Sequence, residues 1–324
     1  MSTRTICLST LLVASSALVG CQFGPGEHGS FDRTYAVSGP TRLELSSGSG
    51  SVKINGSADG KIHVHGDVYA GSFFGSAKDE LQRAIDNPPI EQRTGLLRIG
   101  KDMGALRNTS ISYTIEVPRD TELSISAASG SQEIKNVRGP VNVDSASGEV
   151  VVDSVERSVT VRSASGSIRV QELGDDAKLS AASGSIEASG IKGDIRARAL
   201  SGSISIKGPG ARVEADSASG SVTVAGASND VKANTASGSI TVEGNPVGNS
   251  YWHLKTASGA VEVSVPKTAG FNFTAEAISG QIHADLPIVI EDQGKHSLRA
   301  HVGTPGGRVE VRTASGGIRI QPSS

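Results

Sequence analysis

A chain of 324 residues with 40 glycines and only 3% aromatic residues could hold one large or two ordinary domains, and its composition favours turns and small aliphatic side chains over a helical bundle. The formal net charge of -2, with no Lys/Arg cluster along the sequence, argues against a nucleic-acid-binding protein, because such proteins present concentrated positive charge to phosphates. The composition therefore predicts an all-β repeat protein.

The first twenty residues have the organisation of a secretory signal peptide, with a basic Arg4, an apolar run at residues 6–19 and a small residue before the cleavage position. The run is too short to span a bilayer comfortably. The letters LVGC at residues 18–21 resemble the bacterial lipobox, whose cysteine is acylated before the signal is removed. We predict a signal peptide over residues 1–20 and lipidation of Cys21, with an ordinary signal peptide as the alternative.

Residues 21–35 predict a lipidated tether, since Gly24-Pro25-Gly26 favours an irregular chain. The acyl chains on Cys21 would bind the membrane, because each buried methylene contributes about 0.8 kcal/mol. Gln22 stands where an Asp would resemble the inner-membrane retention signal of Gram-negative bacteria. The predicted location is the cell envelope, with the outer membrane favoured if the organism is Gram-negative.

The segment 36–125 is the irregular beginning of the predicted domain. Alternating apolar residues predict strands at residues 43–45, 52–54, 62–65 and 111–117. Between the last two, residues 76–85 have a capping-box start and apolar residues at helical spacing, and Pro88 and Pro89 follow. We expect one short helix here that covers the first coil, because an open sheet edge invites strand addition.

A Ser-Gly pair recurs with a fixed period through the middle of the chain. Its glycine returns every eighteen residues, six times in succession. The positions are Gly130, Gly148, Gly166, Gly184, Gly202, Gly220 and Gly238. The pair also occurs at Gly50, Gly259, Gly280 and Gly316. A coil of eighteen residues is therefore the structural unit.

Each unit contains two alternating runs, which predict two short strands per coil. The second and fourth residues after the glycine are apolar, as in Val150 and Val152, and a second alternating run precedes the glycine. Glycine at the corner would take a positive φ without a Cβ clash. Stacked coils place strand above strand at about 4.8 Å around a thin aliphatic core. The sequence thus predicts one parallel β-solenoid domain over residues 36–321, with regular coils at 126–256 and broken-period coils at 257–321.

Two interruptions of the period are candidate binding segments, since insertions in solenoids emerge as loops on one side. The first, residues 245–253, contains the only tryptophan. We predict Tyr251, Trp252 and His253 as candidate binding residues on a protruding loop that could stack on a sugar or fill a partner's pocket. The alternative is that the two aromatic rings cap a widened core.

The second interruption, residues 285–307, contains a group of carboxylates and histidines. Its members are Glu291, Asp292, His296 and His301. Such a group permits hydrolysis as a hypothesis, although a charged loop is more often only solvated.

Other repeated or paired residues have structural explanations. The serine before each corner glycine lacks both a Gly-x-Ser-x-Gly elbow and a neighbouring base, so we interpret that column as a ladder. His63 and His65 alternate onto one strand face without a third ligand at useful spacing. The column four residues before the glycine mixes acidic, basic and neutral residues, which does not suit repeated calcium binding. The sequence indicates no cofactor and no metal.

Three segments carry a resemblance to a known family. The repeated Ser-Ala-Ser-Gly-Ser-Ile unit, the strand YTIEVP at residues 113–118 and the closing TASGGI at residues 313–318 resemble the bacterial toast-rack or "putative adhesin" family over about residues 36–321. The resemblance implies a solenoid of stacked β-coils, exported or tethered to the envelope, and in some members a link to envelope stress. It supplies no motif of binding residues.

These observations favour a non-enzymatic envelope lipoprotein whose solenoid is a scaffold or binding module for a protein, a glycan or another copy of itself. The alternative is a β-helix enzyme that acts on envelope or extracellular polysaccharide, which predicts carboxylates converging in one groove lined with aromatic subsites. A second alternative is an envelope-stress sensor. No nucleic-acid partner is expected.

Overall fold

The fold is all-β, as predicted. The computed structural model describes residues 26–71, 77–100, 109–304 and 306–323. Within these residues the strands form two long sheets, sheet A with 14 strands and sheet B with 15, accompanied by one helix. The predicted signal peptide, residues 1–20, and the predicted lipidation site Cys21 lie outside the described residues.

The elements fall into three groups along the chain. The N-terminal group is β1 (Glu27–Ala36), β2 (Arg42–Ser47), β3 (Val52–Ser57), β4 (Lys61–Ala70), α1 (Ala77–Asp86), β5 (Ile90–Arg93), β6 (Leu96–Ile99) and β7 (Thr109–Pro118). The regular coils are β8 (Glu122–Ala127), β9 (Gln132–Val137), β10 (Val141–Ser147), β11 (Val150–Val155), β12 (Val159–Ser165), β13 (Ile168–Leu173), β14 (Ala177–Ala181), β15 (Ile186–Ile191), β16 (Ile195–Ala199), β17 (Ile204–Lys207), β18 (Val213–Ser217), β19 (Val222–Ala227), β20 (Val231–Ser237), β21 (Ile240–Gly244), β22 (Tyr251–Ser258) and β23 (Val261–Val265). The C-terminal group is β24 (Phe271–Ser279), β25 (Ile282–Ala284), β26 (Ile288–Gln293), β27 (Ser297–Val302), β28 (Gly307–Ser315) and β29 (Ile318–Pro322).

Each regular coil contributes one strand to each sheet, so the solenoid has two walls. β11 and β13 of sheet A pair in parallel with Val150 opposite Ile168, and β12 and β14 of sheet B pair with Val159 opposite Ala177. These partners are eighteen residues apart, which confirms the predicted coil and its two strands. Because successive side chains of a strand point to opposite faces, the apolar residues two apart meet in the core between the walls.

A third inward position in each coil is not evident from the alternation. The sixth residue after the corner glycine adopts a left-handed conformation in successive coils. These residues are Asn136, Ser154, Glu172, Gly190, Gly208 and Gly226, with φ between 50° and 80°. The turn leaves two successive side chains outside and directs the next one inward, so that Val155, Leu173 and Ile191 form a buried column. This corner therefore favours residues that tolerate a positive φ.

We expect Glu172→Gly to stabilise the solenoid by about 0.5 to 1 kcal/mol, because a left-handed conformation costs a residue with a Cβ atom about 1 to 2 kcal/mol. Glu172 has a φ of 50°. Part of the gain is offset by the added freedom of glycine in the unfolded chain. Urea unfolding at equilibrium measures the change. The matched control, Gln171→Gly, alters the preceding residue of β13 and should destabilise; destabilisation by both changes would contradict the strain at Glu172.

Most corner glycines are required by stacking rather than by a positive φ. Gly50 has a φ of 109°, as expected, but from Gly166 to Gly259 the φ of the corner glycine is not positive. At these levels an added Cβ atom would lie 1.9 to 2.3 Å from the carbonyl oxygen of the glycine one coil earlier. The predicted role of positive φ is therefore wrong for these coils. Buried hydroxyls hold the same carbonyls, since Ser217 Oγ donates a hydrogen bond to Gly202 O (3.1 Å).

The N-terminal end departs from sequential stacking. β2 and β3 pair directly with β8 and β9, although the chain between them makes β4, α1, β5, β6 and β7. β7 lies on the other side of β3 in sheet A, and the hairpin of β5 and β6 extends sheet B beyond β2. Neighbouring coils at this end are therefore distant in sequence.

The predicted tether at residues 21–35 is wrong in its second half. Glu27–Ala36 form β1, the edge strand of sheet A, which pairs antiparallel with β4. Phe31 on the inner side of β1 is buried in the core. The folded domain therefore includes Glu27 and does not begin at residue 36.

The short helix predicted at residues 76–85 is present as Ala77–Asp86. Its buried face consists of Ala77, Leu81 and Ala84. Ile85 lies over Gly29 of β1, and the Arg33 guanidinium donates a hydrogen bond to the Ile85 carbonyl (2.9 Å). This bond satisfies one of the acceptors that a helix C-terminus leaves unpaired. The helix thus covers the core at the N-terminal end.

The last coil is inserted between two earlier ones. In sheet B, β28 pairs with β22 on one side and with β24 on the other, and in sheet A β29 lies between β23 and β25. β26 and β27 form an antiparallel hairpin that extends sheet B along β24. Because each coil presents a similar ladder of backbone groups, the repeat does not specify which coils become neighbours. Most of the predicted excursion at residues 285–307 is thus sheet rather than loop.

Candidate functional site

The first interruption places its three predicted binding residues on both faces of β22. The Trp252 side chain is completely buried (0% exposed), and its Nε1 donates a hydrogen bond to the Asn229 carbonyl (2.8 Å). Its predicted position on a protruding loop is therefore wrong, because the ring fills the core. Tyr251 and His253 alternate to the outer face, where Tyr251 is 39% exposed.

Tyr251 and His253 belong to a polar network on the outside of sheet B. The Tyr251 hydroxyl donates a hydrogen bond to Glu310, and His253 Nδ1 lies 3.7 Å from Glu310 Oε2. Arg312 Nη2 lies 2.7 Å from the other oxygen of the same carboxylate. The bond from Tyr251 lowers the pKa of the Glu310 carboxyl, with a further contribution from Arg312, and the same bond raises the pKa of the Tyr251 hydroxyl. Glu310 is thus held ionised as an acceptor.

The two interruptions of the period meet on one surface. Arg308 and Asn272 lie in register between Tyr251 on β22 and His301 on β27. Of the carboxylates and histidines predicted in the second interruption, Glu291 and His301 are in contact, with His301 Nδ1 3.2 Å from Glu291 Oε1. We name this surface the C-terminal face; it consists of Tyr251, His253, Asn272, His301, Arg308, Glu310 and Arg312.

His63 and His65 lie on the outer face of β4, as the alternation predicted, and each contacts a carboxylate. His65 Nδ1 is 2.8 Å from Asp32 Oδ1 and its Nε2 is 3.2 Å from Asp67 Oδ1, while His63 Nε2 is 2.9 Å from Asp59 Oδ2. The hydrogen bond to Asp32 raises the pKa of the His65 imidazole, and the bond to Asp67 adds to the effect. Among the described residues, no three or more His, Cys, Asp or Glu side chains are grouped so that they could hold a metal ion.

We expect His65→Gln to destabilise the protein in acid and to have little effect in base. A histidine whose folded pKa is raised stabilises fully below its ordinary value of about 6.5, and this stabilisation is lost as the pH rises through the folded pKa. The difference in free energy of unfolding between wild type and variant should therefore be largest near about pH 5 and smallest near about pH 9. Urea unfolding at both pH values measures it. The control is His283→Gln, which replaces an exposed ring that forms no ion pair within the described residues; an equal cost of the two substitutions at each pH would contradict the role of Asp32 and Asp67.

Sheet B also gathers basic side chains that no run in the sequence contains. They occupy the two outward positions, four and six residues before the corner glycine, in the neighbouring strands β12, β14, β16, β18, β20, β22 and β28. The basic residues at these positions are Arg162, Lys178, Arg196, Arg198, Lys232, Lys255 and Arg312, and the acidic ones are Glu214, Asp216 and Glu310. We name this surface the basic face. Comparing these two columns across all coils would have revealed it in the sequence.

The serine column does not form a nucleophilic site in the part of the chain that the structure describes. No histidine or carboxylate is hydrogen-bonded to the serine before any corner glycine; Ser129 Oγ, for example, donates to the Gly48 carbonyl (3.2 Å). The only helix among the described residues, α1, is too short and too polar to cross a membrane.

The architecture is that of a two-walled parallel β-solenoid with polar outer faces. The family profile described as Toastrack DUF4097 matches residues 40–226 and 175–321, and the chain belongs to this family. No curated protein matches the chain.

Solved structures that align with most of this chain share little sequence with it. A "putative cell adhesion protein" from Clostridium sporogenes is 13% identical, with 92% of this chain and 100% of that chain covered and a TM-score of 0.26. A "putative adhesin" from Parabacteroides distasonis is 14% identical, with 91% and 97% covered and a TM-score of 0.32. A second "putative adhesin", from Bacteroides fragilis, is 13% identical, with 90% and 97% covered and a TM-score of 0.28. At these sequence identities and TM-scores, the similarity does not indicate a function for this chain.

Proposed function

We propose that this chain is a non-enzymatic binding module of the cell envelope, lipid-anchored through Cys21, with an adhesin-like role. The observation that carries the proposal is the C-terminal face, where Tyr251, His253 and Arg312 surround Glu310 on an open sheet surface. An exposed tyrosine beside charged and amide groups suits recognition of a partner surface, because it combines apolar area with hydrogen bonding.

The shifts in carboxyl pKa support binding over catalysis. The carboxyls of Asp59, Glu133, Glu214 and Glu310 have lowered pKa values, each chiefly because a neighbouring side chain donates a hydrogen bond to it. A glycosidase requires one carboxylic acid whose pKa is raised so that it can donate a proton. None of the resolved shifts supplies such a group, and the shifted carboxylates act as fixed acceptors. Among the described residues, no resolved carboxyl pKa shift therefore favours the alternative, an enzyme that acts on polysaccharide.

The proposed anchor would orient the solenoid. Cys21 precedes Glu27 by six residues, which span at most about 20 Å when fully extended. An acylated Cys21 would thus keep the N-terminal end of the solenoid near the membrane. Fourteen strands at a spacing of about 4.8 Å extend roughly 60 Å, so the C-terminal face would be carried away from the bilayer. Cys21→Ser is expected to move the protein from the membrane fraction to the soluble fraction.

A paired substitution tests the binding role. The lipidated protein is recovered from crosslinked cells as wild type, as the double variant Tyr251→Ala with His253→Ala, and as a control, Tyr69→Ala with His28→Ala. The control removes a second exposed Tyr–His pair, whose rings lie 4.8 Å apart at the other end of the solenoid. We expect one specific crosslinked partner to be lost with the first variant and retained with the control. Identical crosslinking profiles for all three proteins would contradict the proposed role of the C-terminal face.

A further inference from the structure

The basic face is a local excess of positive charge on a protein whose formal net charge is -2. Seven basic and three acidic side chains occupy the outward positions of its seven strands. The corresponding positions of sheet A in the same coils carry equal numbers of each sign: Arg169, Lys207 and Arg319 against Glu187, Glu243 and Glu262. The two walls of the solenoid therefore differ in charge although they are built from the same repeat.

Internal ion pairs neutralise the basic face only in part. At its two edges Arg162 is paired with Asp144 (3.3 Å) and Arg312 with Glu276 (3.1 Å). Lys178 and Lys255 form no ion pair within the described residues. Glu214 is shared by three cations, Arg196 (2.8 Å), Lys232 (3.2 Å) and Arg198 (4.0 Å). Arg198 is paired with Asp216 (3.5 Å). Exposed pairs of this kind contribute little to stability, so several cations remain able to exchange partners.

Aspartates border the basic face at the corner of the coil, but they are committed to the backbone. Asp176 Oδ1 accepts a hydrogen bond from the Asp194 amide (2.8 Å), and Asp230 Oδ1 accepts one from the Tyr251 amide (2.9 Å). Asp230 also pairs with Arg212 (3.4 Å). These carboxylates stabilise the turn, and Asp176 lines the edge of the groove that also contains Lys178 and Arg196.

We propose that the basic face docks an acidic polysaccharide, one that carries carboxylate groups along its chain. This inference rests on the proposed function, since it names a ligand class for a binding module. Seven strands at about 4.8 Å give a flat strip about 29 Å long. The two-coil separation between Arg162 and Arg198, and between Arg196 and Lys232, is about 9.6 Å. This distance is close to the length of a disaccharide, so within each column two carboxylates one disaccharide apart can meet the two cations.

The mixed chemistry of the face favours a glycan over other polyanions. Glu214, Asp216 and Glu310 stand among the cations and can accept hydrogen bonds from sugar hydroxyls. A DNA backbone presents a dense row of phosphates without such donors, so these carboxylates would repel it. Insertion into a membrane surface requires several apolar side chains. Leu200, beside Arg198, is exposed, but the equivalent residues of the neighbouring strands are alanines such as Ala182 and Ala218.

Titration of the full-length protein with polygalacturonate, followed by calorimetry at low and high salt, tests the inference. Neutral dextran is the ligand control. The test variant carries Lys178→Gln, Lys232→Gln and Lys255→Gln on the basic face. The control variant carries Lys53→Gln, Lys135→Gln and Lys207→Gln on sheet A, with the same change in net charge and likewise one ion-paired lysine. We expect binding to polygalacturonate that the test variant weakens about tenfold, that the control leaves unchanged, and that high salt abolishes, because exposed charges are screened over about 10 Å at 0.1 M salt.

Three results would overturn the inference. Equal weakening by the two variants would mean that net charge alone is measured. Tighter binding to duplex DNA or to anionic lipid vesicles than to polygalacturonate would assign the face to another polyanion. No binding to polygalacturonate at low salt would show that acidic polysaccharide is not the ligand of the basic face. The binding role of the C-terminal face would still be supported if the variant of Tyr251 and His253 loses its crosslinked partner.

Discussion

Gly202→Ala is expected to destabilise the solenoid by about 3 kcal/mol or more, because the new methyl group has no space. The added Cβ atom would lie 2.1 Å from the Gly184 carbonyl oxygen, and the positions of both atoms are fixed by the main chain. A rotamer change cannot relieve the overlap, so the two coils must separate at their corner. That separation would strain the hydrogen bond from the Ser201 amide to the Ala182 carbonyl (2.9 Å).

Unfolding in guanidinium, followed by both circular dichroism and tryptophan fluorescence, measures the effect of Gly202→Ala. In a repeat protein the stability depends on the interfaces between adjacent coils, so a defect in the middle divides the array. Trp252, the only tryptophan, reports on the C-terminal half. We expect the two signals to give different midpoints in the variant, because its halves no longer unfold together.

Two other glycines separate the steric effect from the conformational one. Gly208 has a φ of 58° and nothing within 4 Å of an added Cβ atom, so Gly208→Ala should cost about 1 kcal/mol for its left-handed conformation alone. Gly60 has open space and no positive φ, so Gly60→Ala should change the free energy of unfolding by less than about 0.5 kcal/mol. Equal costs at Gly202 and Gly208 would show that stacking of the corner glycines is not the limiting contact.

Trp252→Ala is expected to cost about 3 to 5 kcal/mol, the usual range for removal of a buried aromatic side chain. Trp252 lies opposite Val231 on one side and Val309 on the other, and Phe273 follows beyond Val309 in the same inward column. The regular coils carry smaller residues in this column, such as Ala177, Val213 and Val231, so the neighbouring side chains are too small to fill the cavity. The substitution also leaves the Asn229 carbonyl without its donor.

Two matched variants separate the contributions of side-chain volume and hydrogen bonding to this cost, and test whether Trp252 is the buried side chain. Trp252→Phe keeps most of the volume but loses the hydrogen bond, and should cost about 1 to 2 kcal/mol. Tyr251→Ala, at the adjacent exposed side chain, should cost less than about 1 kcal/mol. The midpoints of guanidinium unfolding give all three values. A larger cost for Tyr251→Ala than for Trp252→Ala would mean that Tyr251, and not Trp252, is the side chain buried in the core.

Much of the solenoid is predictable because its signals are local. The spacing of Gly130 to Gly238 gives the coil, and the alternation around residues such as Val150 and Val152 gives the strands and the direction of their side chains. The helix is predictable to within one residue, since its capping and apolar spacing lie inside ten residues. β1 is not predictable from the sequence, because it has few apolar residues and becomes a strand by pairing with β4.

The candidate site was predictable only in part. Tyr251 and His253 stand beside an interruption of the period, which is a local signal for an exposed surface. The same signal assigned Trp252 to the surface, because it does not tell which of three successive side chains a strand turns inward. Glu310 and Arg312, about sixty residues away in the sequence, join the site because β28 inserts beside β22. No local sequence pattern predicts the pairing of β28 with β22.

The sequence by itself determined the eighteen-residue coil, the two strands within it and the small residues at its corners, because these depend on residues that are neighbours in the chain. Only the tertiary structure decided which coils are adjacent at the two ends, that Trp252 fills the core, and that Arg312 of β28 joins the basic face beside Lys255 of β22. The physical reason is that strand pairing is made by backbone groups that are alike at every level of a solenoid. The partner of each strand is therefore set by the packing of side chains and caps across the whole molecule.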